Sequence, residues 1–389
     1  MDMTSLLLAL IYLSFISLGL PDSVLGAAWP TIYPELNVPL SYAGIVSAII
    51  SLGTITSSLF SDKLTRRLGT GRLTALSVAS TALALFGFSL SHSFIALCIL
   101  AVPYGLGAGS VDAALNNYVA VHYKSRHMSW LHCFWGVGAS IGPYIMGYTL
   151  TGGQSWNMGY RYIAYIQIVL SFVLLMSIPL WKHRIVVPSE DGTVDDRELS
   201  LREILSIKGA KEVMLFFFSY CAIEQVMIIW AGTYLTEHIG YSAEKAASLA
   251  GMYCLGLTIG RGISGFVTMK LDDTTMIRLG IGIITLGVVV LMIPAGAQLA
   301  LIGLALVGLG SAPVYPCVIH STPEHFGADR SQAIVGVQMA SAYCGTCIMP
   351  PIFGIVARNI SVALFPYFSF IIVVVMVFMH ESLVKKTAK

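Results

Sequence analysis

The chain has 389 residues, of which 56% are hydrophobic and only 11% charged, with a net charge of +2. Soluble domains carry about 25% charged residues, so this chain cannot cover its own surface with polar groups and lipid must be the solvent for much of it. The small net charge, with neither a basic tail nor aromatic-basic interleaving, excludes nucleic acid as a partner.

At ~20 apolar residues per span, twelve helices are predicted. The first, 5–30, contains GLPDSVLGAAWP, which sets Pro21 beside Asp22 well inside an apolar run. Pro21 removes the bond to the carbonyl of Ser17, so this segment is expected to be a loosened mid-helix stretch that aims Asp22 inward. The second span, 40–60, runs into Ser58-Leu-Phe-Ser-Asp62-Lys63-Leu-Thr-Arg66-Arg67. An acid capping a helix end beside Lys63, Arg66 and Arg67 suits a gate that locks helix ends in one state; alternatively the three cations only set topology. The third span is 72–91 and the fourth, 94–121, carries Asp112 and Asn116, which share a face at i, i+4. The fifth, 128–149, carries His132 and Trp135 at i, i+3, where imidazole and indole could meet one ligand, and the sixth is 161–181.

A polar stretch, about 182–210, follows, with a short amphipathic helix expected near Leu199–Ile207. Beyond it come 212–236 with Glu224 and Trp230, 243–268 with Arg261, 277–295, 298–320, 331–357 with Gln338, and 361–380. The expected domains are therefore a six-helix bundle over 1–184, a cytoplasmic linker over 185–210 and a second six-helix bundle over 211–389. Of the 22 Lys and Arg residues, 18 fall on the face shared by both termini, three (Arg161, Lys245, Arg358) on the other, and Arg261 lies within a span. That asymmetry puts both ends in the cytoplasm.

The halves repeat. Gly138, Pro143 and Gly147 match Gly345, Pro350 and Gly354, and Gly53, Ser58 and Lys63 match Gly260, Gly265 and Lys270, all 207 residues apart. Parallel six-helix repeats describe the major facilitator superfamily, and Ser58–Arg67 resembles its signature between the second and third helices, with Ser58 and Thr65 in place of two glycines.

Burying a charge at the bilayer centre costs at least about 2.5–3.5 kcal/mol. Asp22, Asp112 and Glu224 are therefore either structural, paired with Arg261 or with freed backbone, or they line a wet path and exchange protons. Carboxylate, amide and imidazole beside Trp135 and Trp230 suit a polyhydroxylated ligand, with lipid or helix packing the alternative for the two indoles and a structural histidine the alternative for His132. Candidate proton-coupling residues are Asp22, Asp112 and Glu224. Candidate substrate residues are Asp22, Asn116, His132, Trp135, Glu224, Trp230 and Gln338. Candidate gating residues are Asp62, Lys63, Arg66, Arg67 and Arg261.

The pattern resembles the fucose:proton symporter branch of that superfamily. GLPDSVLGAAWP is similar to its first-helix segment, DAALNNYV to its fourth, WLHCFWGVGASIGPYIMG to its fifth, YCAIE (Tyr220 to Glu224) to its seventh, and GLGSAPVYPCVIHSTPEHFG to its tenth. The resemblance implies sugar and proton binding for Asp22 and Asp112. It implies a monomer in the plasma (inner) membrane that takes up a small sugar-like solute with protons, by alternating access. Gly138-x-x-x-Gly142-Pro143-x-x-x-Gly147 also resembles the fifth-helix signature of drug:proton antiporters, which leaves export of amphipathic compounds as the alternative. A non-transporting receptor would not require three buried acids. No nucleophile, metal or phosphate-loop motif supports an enzyme, and no cofactor or metal is expected. The seven cysteines lie in apolar runs, and the CxxC spacing of Cys344 and Cys347 sits among small residues that suit helix packing.

Overall fold

A computed structural model describes residues 3–181, 199–241, 243–293 and 297–388. These residues are helical almost throughout. In chain order the helices are α1 (Met3–Gly19), α2 (Val24–Glu35), α3 (Ala43–Leu59), α4 (Ser61–Leu68), α5 (Thr70–Phe88), α6 (Phe94–His122), α7 (Ser125–Thr151) and α8 (Trp156–Met176). They continue with α9 (Leu201–Ser206), α10 (Ala210–Glu237), α11 (Ala243–Val267), α12 (Asp273–Met292), α13 (Ala297–His320), α14 (Thr322–Phe326), α15 (Ala328–Asn359) and α16 (Phe365–Thr387).

Counting α1 and α2 as one broken span, the long helices among the described residues are twelve in number, and the all-helical membrane fold is the one expected. Ten of the spans are long and apolar enough to cross a bilayer by composition alone. The other two, α7 and α11, have 27 and 25 residues and carry more polar side chains. Of the predicted linker, 182–198 lies outside the described residues; the remainder holds α9, started by a capping box in which Ser200 and Glu203 satisfy each other's backbone N–H groups.

By backbone proximity the chain divides into two compact units, Met1–Tyr118 with Leu131–Glu198 and Val119–Trp130 with Leu199–Lys389. The same contact recurs inside each. A Cβ on Gly138 of α7 would lie 2.0 Å from the Ile16 carbonyl oxygen of α1, and one on Gly345 of α15 would lie 2.2 Å from that of Phe218 in α10. The backbones touch there, and no side chain fits between them. Likewise Gly105 of α6 sits on the Ile50 carbonyl of α3 and Gly308 of α13 on the Tyr253 carbonyl of α11, at 2.2 and 2.1 Å for a built Cβ.

The contacts keep the 207-residue spacing for α7 and α15 but correct it elsewhere. Gly105 and Gly308, like Ile50 and Tyr253, are 203 apart. The counterpart of Gly53 is thus Gly256, and Gly260 lies one turn further along. Four residues are close to one helical turn, so both glycines look onto α13, and a sequence match cannot separate them.

Candidate functional site

The first unit contains the break foreseen at Pro21. α1 ends at Gly19 and α2 begins at Val24; between them the backbone tightens, with Asp22 N–H donating to Gly19 O at 3.1 Å and Val24 N–H to Pro21 O at 3.2 Å. Proline has no N–H to give the carbonyl four residues back. That carbonyl, Ser17 O, instead accepts Nε2–H of Gln167 in α8 at 2.7 Å, and Thr81 Oγ of α5 donates to the amide oxygen of Gln167 at 3.0 Å. An acceptor on one side and a donor on the other fix the amide orientation. Gln167 is buried, so two neighbouring helices hold the break in place.

Asp22 is carried on this break and is exposed. Its Oδ2 accepts the indole N–H of Trp135 (α7) at 2.9 Å, and its Oδ1 accepts the hydroxyl of Tyr104 (α6) at 3.4 Å. The glycine contact explains why Trp135 reaches: α7 has no side chain at 138 to keep it off α1. Both partners are neutral donors, and no cation pairs with Asp22 among the described residues.

Asp112, Asn116 and His132 form a second, buried group, at 5%, 0% and 5% exposure. Asn116 Nδ2 donates to the Asp112 carboxylate at 2.8 Å and to the Asp112 carbonyl at 3.0 Å. Two acceptors define that end of the amide as the NH2, so Oδ1 accepts and His132 Nε2, 3.1 Å away, carries a hydrogen. The ring of His132 meets Phe15 edge-on, with centroids 5.5 Å apart. The structure therefore gives His132 and Trp135 different partners: one turn along α7, imidazole faces α6 while indole reaches the broken helix.

In the second unit Glu224 of α10 faces Arg261 of α11, with NH2 to Oε1 at 3.6 Å. Asp22 lies six residues after Ile16 and Glu224 six after Phe218, so the glycine contacts make the two acids counterparts. Around Glu224 lie buried Tyr220, whose hydroxyl donates to Ser311 O at 3.0 Å, and buried Tyr253. Trp230 and Gln338 have other partners in this unit. Trp230 Nε1–H donates to Pro350 O in α15 at 3.0 Å, and Gln338 is fully buried with Thr322 donating to its Oε1 at 3.1 Å.

The gating candidates after the second span are ordered on α4. Arg66 Nε donates to Asp62 Oδ2 at 2.7 Å, while Oδ1 of the same carboxylate is buried with no hydrogen-bond partner among the described residues. Lys63 and Arg67 flank this pair on the same short helix.

Three residues of this neighbourhood escaped the sequence reading. Tyr104 stands at i−8 from Asp112, with Ala108 between them on one face of α6, a spacing that could have flagged it. Gln167 is a lone amide in an apolar span, a signal of an internal partner. Thr81 carries no such mark.

The model of the Major Facilitator Superfamily matches residues 11–350. The cis,cis-muconate transport protein of Acinetobacter baylyi is 23% identical over 62% of this chain and 60% of its own length. The glucose/mannose transporter of Bacillus subtilis is 20% identical over 79% of this chain and 77% of its own. Among solved structures, the E. coli fucose:proton symporter superposes with a TM-score of 0.80 at 15% identity, covering 99% of both chains. At that identity the likeness is one of fold.

Proposed function

Because the chain belongs to the major facilitator superfamily, and is a multi-pass membrane transporter rather than an enzyme, we propose that it couples protons to the uptake of a small polar solute, a monosaccharide or polyol, by alternating access. One observation carries this reading: Asp22 is an accessible carboxyl on a broken span, held by the neutral donors Trp135 and Tyr104. Such a carboxyl can gain or lose a proton without stranding a cation. Ionised, it accepts both donors; protonated, it offers a hydroxyl donor to a ligand, and the indole beside it supplies an apolar face for sugar C–H groups. Asp112, joined to His132 through Asn116, is the second proton-coupling site, and Glu224 the third.

In this reading protonation of Asp22 precedes solute binding, and release to the cytoplasm follows deprotonation. Asp62, Lys63, Arg66, Arg67 and Arg261 serve as gating residues. The protein works as a monomer in the plasma (inner) membrane with both termini cytoplasmic, its halves being the 1–184 and 211–389 bundles joined by 185–210.

The alternative, a drug:proton antiporter, rests on the glycine-proline run of α7. Gly138 is used there to seat α7 on α1, and the same use at Gly345 in α15 argues for helix packing. Purified protein in liposomes, loaded under an inward proton gradient, tests the choice. Gradient-driven accumulation of a labelled sugar or polyol supports symport; gradient-driven extrusion of amphipathic dyes with no sugar response overturns it, and accumulation of dicarboxylates alone overturns the sugar assignment.

A further inference from the structure

At one end of the second unit, α9, the α14–α15 corner and the last turn of α16 enclose an open cavity of about 680 Å³. Segments far apart in sequence place Arg202, Lys208, Arg330 and Lys386 on its wall, beside His325 and Phe326. Gly209 makes this corner possible. It turns the chain from α9 into α10 with φ +92°, and a Cβ there would lie 2.9 Å from Thr387 of α16.

The charges on this wall are unbalanced. Its one acid, Glu203, is committed to its own helix, taking the N–H of Ser200 at 2.8 Å and the Ser200 hydroxyl at 2.7 Å. Arg202 and Lys208 form no ion pair among the described residues. Arg330 is only 3.5 Å from Asp329, its neighbour in sequence, with both side chains about half exposed (56% and 49%); a pair so exposed is worth little. Lys386 alone is firmly held, by Glu212. His325 adds shape rather than charge. Burial keeps its imidazole below the usual range, and Nδ1–H donates to Thr387 Oγ at 2.7 Å, because the Thr387 proton is spent on Leu383 O.

We propose that this cavity binds a phosphate-bearing anion through Arg202, Lys208 and Arg330, and that the anion is the phosphodiester headgroup of an acidic phospholipid. Guanidinium groups match phosphate oxygens in pairs, and a basic pocket at the cytoplasmic ends of membrane helices lies within reach of headgroups. The pocket lies just ahead of α10 and at the last turn of α16, at the ends of two membrane helices on the face expected to be cytoplasmic. Beside it α9 exposes Leu201 (49%) next to Arg202, the apolar-plus-basic pairing of an interfacial helix.

The full chain in detergent, given phosphatidylglycerol, phosphatidylcholine or inorganic phosphate, supplies the test by native mass spectrometry and thermal unfolding. The expected result is phosphatidylglycerol retained at least about tenfold over phosphatidylcholine. The double variant Arg202→Gln/Lys208→Gln and the single Arg330→Gln should each lose most of that preference, whereas Arg278→Gln, which removes an exposed cation elsewhere in the unit, should keep it. Lys208→Gln alone is the fallback if the double variant does not fold, with a partial loss expected. Stabilisation by inorganic phosphate without a phosphatidylglycerol preference overturns the lipid assignment, and equal retention in wild type and pocket variants overturns the site.

Discussion

The two units solve the same problem, an acid six residues past a glycine-seated carbonyl, in opposite ways. Asp22 in the first is met by an indole and a phenol; Glu224 in the second is met by a guanidinium at 3.6 Å. The asymmetry continues one layer away. Asp112 lies seven residues after Gly105, and its counterpart seven after Gly308 is Tyr315; His132 lies six before Gly138, and its counterpart six before Gly345 is Met339. Where the first unit joins carboxylate to imidazole through Asn116, the second brings the Tyr315 hydroxyl to the Met339 sulfur at 3.3 Å. One repeat meets its acid with neutral donors, while the other keeps a compensated charge and a Tyr–Met contact. The difference between the units therefore lies in the side chains rather than the shared backbone.

The largest effect that could break this comparison is functional. Asp22→Asn keeps the shape and leaves Trp135 and Tyr104 an oxygen to bond, but it removes the titrating group. Gradient-driven accumulation should be lost, because the amide can no longer carry a proton, while counterflow exchange of solute persists. Accumulation equal to wild type in that variant would remove Asp22 from the coupling path and erase the contrast.

Next in size is the compensated charge. Arg261 is buried, and Arg261→Met leaves Glu224 in place without its cation, which should cost about 3–5 kcal/mol by the behaviour of broken buried pairs. Unfolding of purified protein should show the loss, and adding Glu224→Gln should return most of it. Equal stability of the single and double variants would mean that the pair is not coupled. Asp22→Asn should show no comparable cost, because no cation is stranded.

Gln167→Leu removes the donor that fills the carbonyl opened by Pro21 and should cost about 1–3 kcal/mol, the penalty of an unsatisfied buried acceptor. Restoring an internal bond by Pro21→Ala in the Gln167→Leu background should recover stability and, by straightening α1 into α2, lower transport. Recovery of stability with transport intact would show that the break does not serve the site.

These effects also mark how far the sequence could be read. Twelve spans, their orientation bias and the break at Pro21 follow from apolar run length, Lys/Arg counts and a missing N–H, all local properties. The partner of the freed carbonyl was not legible, because it depends on which face α8 turns toward α1, a packing outcome with no local cause. The pairing of Glu224 with Arg261 stood only as one of two options, since sequence gives no distance between spans. The repeat itself was visible but read one turn out of register between α3 and α11, because Gly256 and Gly260 share a face. With 203 rather than 207 for the fourth and tenth spans, Asp112 corresponds to Tyr315 in the repeat and the asymmetry of the two units emerges.

The smallest predicted effect sharpens that asymmetry, since it compares equivalent positions. Met339→Leu conserves volume and should cost less than about 1.5 kcal/mol, with proton-driven accumulation unchanged. His132→Leu at the matching place leaves the Asn116 carbonyl oxygen without its Nε2–H donor inside a buried group, which should cost about 1–3 kcal/mol. It should also slow accumulation by about tenfold or more, because Asp112 loses the imidazole that Asn116 connects to it. The discriminating quantity is the ratio of initial uptake rates with and without the imposed gradient, which a purely structural loss leaves unaltered. If both variants keep that ratio, the buried group of the first unit is scaffold like the Tyr315–Met339 contact of the second, and Asp112 leaves the coupling path.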